Sequence, residues 1–141
     1  MALAGFDTNV VVYATGMRRA DADEPKLAIA EHLIADSLAA GSMVLPVQVC
    51  LELHRVLVIK RRLGAAAATA IVRKFMESAI IAPSDDRVLG EALTLASRHG
   101  LQTYDAIILA AAEDAGCDIL YSEDMQDGFE WQGVRIVNPF A

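Results

Sequence analysis

Apolar and polar residues follow two different periods along this chain. Short apolar runs such as Met43-Val44-Leu45 and Ile80-Ile81-Ala82 have the length of buried strands. Longer segments place apolar residues at every third or fourth position, which is the spacing of one helix face. We expect strands at 2–6, 42–46, 79–83, 118–121 and 134–137. We expect helices at 26–40, 47–63, 65–78, 85–99 and 103–115, and a short helical or irregular piece at 7–13.

Strands that alternate with helices indicate an α/β fold. Right-handed crossovers then give a mainly parallel sheet, here of about four to five strands, with helices on both faces. The 141 residues, of which 55% are apolar, suit one domain over 1–141 without linkers or repeats. The sequence has no apolar run long enough for a membrane span and no secretory leader pattern. We therefore expect a cytosolic protein that does not enter a membrane.

Glycine, serine and acidic residues mark the expected turns. Gly64 follows the helical pattern at 47–63, and we expect it to end that helix in a left-handed C-cap. Ser84 stands before two aspartates, as an N-cap followed by first-turn acids would. Two loops are expected, one at 18–25 with solvated acids at 21, 23 and 24, and one at 122–133.

The charge balance limits the functions that the chain can have. Twelve lysines and arginines against nineteen acids give a net charge of −7, which is unfavourable for gripping nucleic acid through charge alone. The excess of acids fits an acidic pocket for divalent cations, a cationic partner, or simple solubility. Cys50 and Cys117 do not have the spacing of metal ligands, so we expect two small buried thiols.

Two acids lie directly after expected strands. Asp7 follows the apolar run that ends at Phe6, and Asp124 lies shortly after Tyr121. Ligands of α/β proteins bind in the crevice outside the carboxyl ends of the strands, so both positions are candidates for a site. Each acid by itself is more simply a helix cap or a turn residue.

Two further acids interrupt apolar helix faces. Glu52 lies in the apolar stripe that contains Leu53, where burying an unpaired carboxylate would cost several kcal/mol. A salt bridge to Arg55, or a stripe edge that reaches solvent, would explain Glu52 without a function. Asp105 opens the apolar face that contains Ile108, although an acid in a first helical turn is also favoured by the helix dipole.

The four acids are explained better together than separately. In a parallel α/β sheet, residues that follow strands or begin the adjoining helices face the same rim. Carboxylates that converge there would repel each other unless hard cations lay between them. Oxygen ligands favour Mg²⁺ or Mn²⁺, and the lack of a His/Cys ligand group argues against zinc. We expect one acidic metal site formed by Asp7, Glu52, Asp105 and Asp124.

These residues resemble the motifs of the PIN-domain ribonucleases, most closely those of the VapC toxins of prokaryotic type II toxin–antitoxin pairs. The resemblance covers nearly the whole chain, and the acids occur in the same order. One departure is Tyr104, because tryptophan is frequent before that aspartate. The motifs are Asp7-Thr8-Asn9, Glu52 within 47–53, Thr103-Tyr104-Asp105 with its apolar continuation to 112, and Ser122-Glu123-Asp124 within 122–128.

The resemblance implies metal-dependent hydrolysis of RNA phosphodiester bonds. Asp7, Asp105 and Asp124 would be the direct ligands of Mg²⁺ or Mn²⁺, and Glu52 would be a ligand or would orient the attacking water. Asn9 and Ser122 would fix the orientation of these carboxylates. An optional fifth acid is Asp127, for which a surface turn is the simpler interpretation.

The resemblance also implies partners. Such toxins form homodimers and are held by an antitoxin, here a VapB-like one, whose tail enters the acidic groove. An arginine- or lysine-bearing tail would suit carboxylates that lack a metal. The substrate would be RNA, although each basic cluster is also an ordinary surface group. The residues that could receive the RNA backbone are Arg61, Arg62, Arg73 and Lys74.

Two other classes of function compete with a nuclease. A phosphotransfer receiver or phosphatase also places aspartates at strand ends with Mg²⁺, but it needs an Asp-x-Asp arrangement. Here Asp7 is followed by Thr8 and Asn9. The non-enzymatic alternative is a catalytically inactive PIN-like module that binds RNA or protein, which the presence of all four acids disfavours. The sequence leaves open which RNA is cut and which metals bind.

Overall fold

Strands and helices alternate along most of the chain in the computed structural model, which describes residues 2–141. The strands are β1 (Leu3–Phe6), β2 (Met43–Pro46), β3 (Ile80–Ala82), β4 (Cys117–Tyr121), β5 (Glu130–Trp131) and β6 (Val134–Val137). The helices are α1 (Thr8–Ala14), α2 (Glu24–Ala39), α3 (Val47–Ile59), α4 (Ala65–Ser78), α5 (Asp86–His99) and α6 (Thr103–Asp114).

The first strand lies inside the sheet, whose order over the described residues is β3-β2-β1-β4-β6-β5. β1 pairs in parallel with β2 and β4, and β2–β3 and β4–β6 are also parallel, whereas β5 pairs with β6 in antiparallel. The expected α/β fold is confirmed, but with six strands. The extra strand, β5, lies inside the expected 122–133 loop. Its two residues are too few to give a periodic signal.

Both faces of the sheet are covered. All four residues of β2 are buried, and because neighbouring side chains of a strand point to opposite faces, helices must pack on each side. α6 packs against β2 and β4, and its residues Ile108 and Leu109 are buried. Cys50 and Cys117 are buried free thiols, as expected. Over residues 2–141, no helix combines the length and apolarity that crossing a membrane requires.

Gly5 allows α6 to approach the central strand closely. A Cβ atom at this position would lie 3.2 Å from Cδ1 of Leu120 and 3.3 Å from Cβ of Ala112. Ala112 belongs to α6, so the missing side chain of Gly5 sets how deeply this helix sits on β1. The same helix carries Asp105 in its first turn.

Two expected helix caps are wrong. Gly64 has a φ of −61° and precedes α4 as its N-cap. The left-handed residue after α3 is Arg62, with a φ of 57°. The glycine at 64 therefore predicted the left-handed turn two residues too late in the chain. The N-cap of α5 is Asp85 instead of Ser84, because its carboxylate accepts a 2.9 Å hydrogen bond from the backbone N–H of Val88.

The expected 18–25 loop contains more structure than its composition indicates. A 3-10 turn forms over Asp21–Asp23, and α2 begins at Glu24 with Pro25 in its first turn. Asp23 is buried, which contradicts the expected solvated acid. Its carboxylate accepts a hydrogen bond from the backbone N–H of Ala20 at 2.9 Å and lies 3.0 Å from Nζ of Lys26.

Candidate active site

The four acids selected from the sequence line one cavity of about 630 Å³. Asp7 follows β1, Asp124 comes shortly after β4, Glu52 lies in the second turn of α3, and Asp105 lies in the first turn of α6. The cavity lies at the carboxyl ends of the parallel strands. In the sheet, β2 lies on one side of β1 and β4 on the other. The cavity is therefore at the topological switch point, where α/β proteins bind ligands.

Asp7 is buried and held by neutral donors. Only 4% of the residue is exposed. One carboxylate oxygen caps α1 by accepting a 2.7 Å hydrogen bond from the N–H of Thr8, and the other accepts one of 2.7 Å from the Ser122 hydroxyl. Burial, with a smaller contribution from the charges of Asp105 and Asp124, raises the pKa of Asp7 from its ordinary 3.8 to about 6 despite these bonds. Its negative charge is therefore uncompensated.

Glu52 is also held without a cation. Its carboxylate accepts hydrogen bonds from the Thr8 hydroxyl at 2.6 Å and from the Gln48 amide at 3.1 Å. The Thr8 bond fixes α1 to α3 directly beneath the cavity. No salt bridge joins Glu52 to Arg55 among the described residues, so that explanation for Glu52 is wrong. Glu52 is only half-buried and lines the cavity, which agrees with the other explanation, a stripe edge that reaches solvent.

Asp105 and Asp124 complete the acidic wall. The side chain of Gln102 caps α6 and accepts hydrogen bonds from the N–H groups of Tyr104 and Asp105. Asp105 is half-buried, and burial, then the charges of Asp124 and Glu52, raise its pKa. Asp124 is more exposed, accepts a hydrogen bond from the Asn9 amide, and lies 3.7 Å from the Arg19 guanidinium.

The predicted supporting residues divide into two groups. Ser122 is fully buried against Asp7, and Asn9 contacts Asp124, so both adjoin the carboxylates. Asp127 instead accepts a 2.8 Å hydrogen bond from the N–H of Asn138 and is not among the residues that line the cavity, which agrees with a surface turn.

The basic residues selected from the sequence do not line the cavity. Arg61 donates a 3.0 Å hydrogen bond to the carbonyl of Thr15, and the other three project from exposed positions. The cavity is instead lined by Arg55 and Lys60 of the same region. Arg55 is one turn from Glu52, so helix spacing could have selected it. The three other basic residues that the sequence analysis selected, all exposed, are Arg62, Arg73 and Lys74.

The donor set suits a hard cation, but the side chains are not assembled around one. Within residues 2–141, no three His, Cys, Asp or Glu side chains are grouped closely enough to hold a metal ion as they stand. The raised pKa values of Asp7 and Asp105 nevertheless show that added positive charge would be favourable there. Carboxylate oxygens are what Mg²⁺ and Mn²⁺ prefer. The residues therefore fit such an ion, provided that the side chains turn inward.

Sequence comparison identifies the family. A PIN domain model matches residues 6–129, a span that contains all four cavity acids. The chain belongs to the PIN domain family. This membership confirms the resemblance seen in the sequence and supports a nuclease. No curated protein sequence shows significant similarity to this PIN domain.

Solved structures share the fold at low sequence identity. A toxin–antitoxin complex from Klebsiella pneumoniae has a TM-score of 0.69 and 20% identity over 96% of this chain and 97% of that one. VapC20 of Mycobacterium tuberculosis, a Sarcin-Ricin loop cleaving toxin, has a TM-score of 0.65 and 20% identity over 86% and 89%. DNA-bound VapBC from Salmonella typhimurium has a TM-score of 0.66 and 16% identity over 96% and 97%. These likenesses establish the PIN fold.

Proposed function

We propose that this PIN domain, taken as one domain over 1–141, is a VapC-like endoribonuclease that hydrolyses RNA phosphodiester bonds with Mg²⁺ or Mn²⁺. The observation that carries the proposal is the meeting of Asp7, Glu52, Asp105 and Asp124 at one cavity at the strand ends. The carboxylates of Asp7 and Glu52 have only neutral hydrogen-bond partners. Likeness in fold to a toxin that cleaves the Sarcin-Ricin loop supports RNA as the substrate.

Each acid has a role in this proposal. Asp7, Asp105 and Asp124 hold the metal, and Glu52 is a further ligand or orients the attacking water. A bound divalent ion would supply a water of lowered pKa and neutralise charge on the phosphoryl oxygens. The Thr8 hydroxyl donates a hydrogen bond to Glu52, and its backbone N–H donates one to Asp7. Thr8 therefore fixes the positions of these two carboxylates relative to each other.

The substrate must approach an acidic protein. Divalent ions at the rim would offset the local negative charge where the scissile phosphate lies. Arg55 and Lys60 on the cavity wall would contact neighbouring phosphates. The exposed residues Arg61, Arg62, Arg73 and Lys74 remain our proposal for the outer path of the RNA backbone.

An antitoxin is the proposed regulator. Two of the similar structures are toxin–antitoxin complexes, and the cavity acids suit a VapB-like partner that inserts an arginine or lysine into the groove. A cationic side chain and a metal would then occupy the same place. We also propose that the toxin is a homodimer and acts in the cytoplasm.

The alternative is a catalytically inactive PIN module that binds RNA or protein. The absence, over the described residues, of an assembled metal-binding group favours it. It predicts affinity for RNA or protein without turnover.

Mapping of cleavage sites on total RNA separates the two functions. The wild-type chain should produce discrete cuts in Mg²⁺ or Mn²⁺ that disappear with EDTA and in Asp7→Asn. The matched control is Asp118→Asn, which alters an exposed aspartate of β4 outside the cavity and should retain the cuts. Cuts that persist in Asp7→Asn would overturn the catalytic assignment, and a wild-type chain that makes no cuts would support the inactive module.

A further inference from the structure

One wall of the acidic cavity is apolar, and the proposed chemistry does not use it. Leu51, Ile59 and Tyr104 line the same cavity as the four acids. They are among the most exposed large apolar residues of the described chain, at 63%, 58% and 58%. Large apolar side chains that stay exposed around a charged cavity mark a surface that binds something.

These side chains come from the same helices as the acids. Leu51 directly precedes Glu52 on α3, and Tyr104 directly precedes Asp105 on α6. Helix spacing places Leu51, Arg55 and Ile59 in one row, because each lies four residues after the last. The row begins beside Glu52, contains Arg55 and ends next to Lys60, so α3 presents acidic, apolar and basic groups to one cavity.

A nucleotide next to the scissile phosphate needs this combination of groups. Its base can stack on an aromatic ring and pack against aliphatic side chains, whereas its phosphate suits a lysine or an arginine. A base in a duplex has its faces covered and cannot stack in this way. The proposed antitoxin cation suits the acids of the cavity, whereas Arg55 and Lys60 beside the apolar residues favour an anionic occupant such as an RNA phosphate.

We propose, on the basis of the ribonuclease function above, that Tyr104 is the stacking surface for an unpaired base adjacent to the scissile phosphate. Leu51 and Ile59 complete the apolar surface beneath the base, and Arg55 and Lys60 bind its phosphate. Tyr104 is thus a substrate-binding residue that makes the cavity selective for single-stranded RNA. Tyr104 is largely exposed, and its hydrogen bond to Gln102 is donated by the backbone N–H, so replacement of the side chain should leave the fold intact.

Binding without turnover tests this proposal. In the Asp7→Asn background, the probe is an unstructured RNA of about a dozen nucleotides, a length typical of single-strand sites. We expect Tyr104→Ala to weaken its binding roughly 10-fold, the loss of one stacked base, and Tyr104→Phe and Tyr104→Trp to retain it. The control Leu89→Ala removes an exposed apolar side chain outside the cavity and should change nothing.

Three results would overturn the proposal. One is equal RNA affinity of Tyr104→Ala and Tyr104→Phe. Another is equal affinity for the single strand and for the same sequence annealed to its complement. The third is a Tyr104→Ala variant that loses affinity for a short peptide of lysine, arginine and leucine but not for RNA, which would make the wall a protein-docking surface.

The steady-state constants of the active chain give a second readout. Tyr104→Ala should raise KM for the same RNA by a factor similar to its loss of affinity, with a smaller effect on kcat. A wild-type chain that cuts no RNA would defeat the proposed function. The RNA-binding comparison is made in the Asp7→Asn variant and does not depend on cleavage. The two failures are therefore distinguishable.

Discussion

Two groups of acids near the carboxyl ends of the strands are in opposite electrostatic states. The cavity acids are Asp7, Glu52, Asp105 and Asp124, and the carboxylates of Asp7, Glu52 and Asp124 accept hydrogen bonds from hydroxyl and amide groups. The paired acids, Asp23 and Glu123, share the ammonium group of Lys26. Arg19 lies between the groups, 3.6 Å from Glu123 and 3.7 Å from Asp124.

The pKa values follow this division. A hydrogen bond from Lys26 lowers the pKa of Asp23, whereas burial raises that of Asp7 to about 6 and that of Asp105 in the same direction. Lys26 also lies 5.5 Å from the centre of the Tyr13 ring, so the paired acids belong to a complete network. The paired acids thus have their own cation, whereas among the described residues no cation pairs with Asp7, Glu52 or Asp105, which retain the capacity to bind one from outside.

The largest expected effect is on catalysis. Asp105→Asn should lower kcat/KM for RNA cleavage roughly 1,000-fold, because a displaced metal removes several kcal/mol of transition-state stabilisation. Asp23→Asn keeps the cavity intact and should lower kcat/KM far less. Both variants would be measured with one RNA at saturating Mn²⁺. Similar losses of kcat/KM would show that the cavity acids matter no more for catalysis than the paired acids.

The next effect is on stability, and it has a defined pH window. Since Asp7 binds its proton more tightly in the folded chain, the metal-free protein should lose stability as the pH rises from 3.8 to about 6. The loss is up to about 3 kcal/mol for a shift of this size. Asp7→Asn should be more stable than wild type above this window and equal to it below. Urea unfolding in EDTA measures the difference, and a less stable variant at neutral pH would contradict the raised pKa.

Removing the cation shared by the paired acids should lower stability, the opposite of the effect expected for Asp7→Asn. Lys26→Met leaves the mostly buried carboxylates of Asp23 and Glu123, whose side chains are 12% and 15% exposed, without their shared cation. We expect a loss of stability near neutral pH, seen as a lower urea midpoint. Because the pKa of Asp23 is lowered in the fold, this loss should shrink as the acid protonates at low pH. An unchanged midpoint would mean that the network does not stabilise the fold.

The smallest expected effect is on the approach of RNA. Reversing the charge of Arg61 and Arg62 to glutamate should raise KM a few-fold at low salt and less at high salt, because these residues lie outside the cavity. The matched change is the double variant Arg98→Glu, Arg135→Glu, which reverses two exposed arginines outside the cavity. An equal effect of both changes would assign the result to net charge and not to a binding path.

Periodicity predicted the helices because each has a buried face, and short apolar runs predicted the longer strands because the sheet is covered on both faces. Neither pattern could predict β5, which is too short, or the left-handed turn at Arg62, which needed no glycine. The cavity acids were recognisable because they interrupt apolar runs. The burial of Asp23 was not, since it depends on Lys26, which also pairs with Glu123 at a distance of 97 residues in sequence. Likewise, nothing local in sequence connects Thr8 to Glu52.

Direct binding of Mn²⁺ tests the central claim, that the cavity acids together bind a hard cation. Metal-free wild-type protein would be titrated with Mn²⁺, and the free ion followed by electron paramagnetic resonance, in parallel with Asp7→Asn, Asp105→Asn and Asp23→Asn. Wild type and Asp23→Asn should bind Mn²⁺ alike, and the two cavity variants should bind at least about 10-fold more weakly. Equal binding by all four proteins, or no binding by the wild type, would contradict the account.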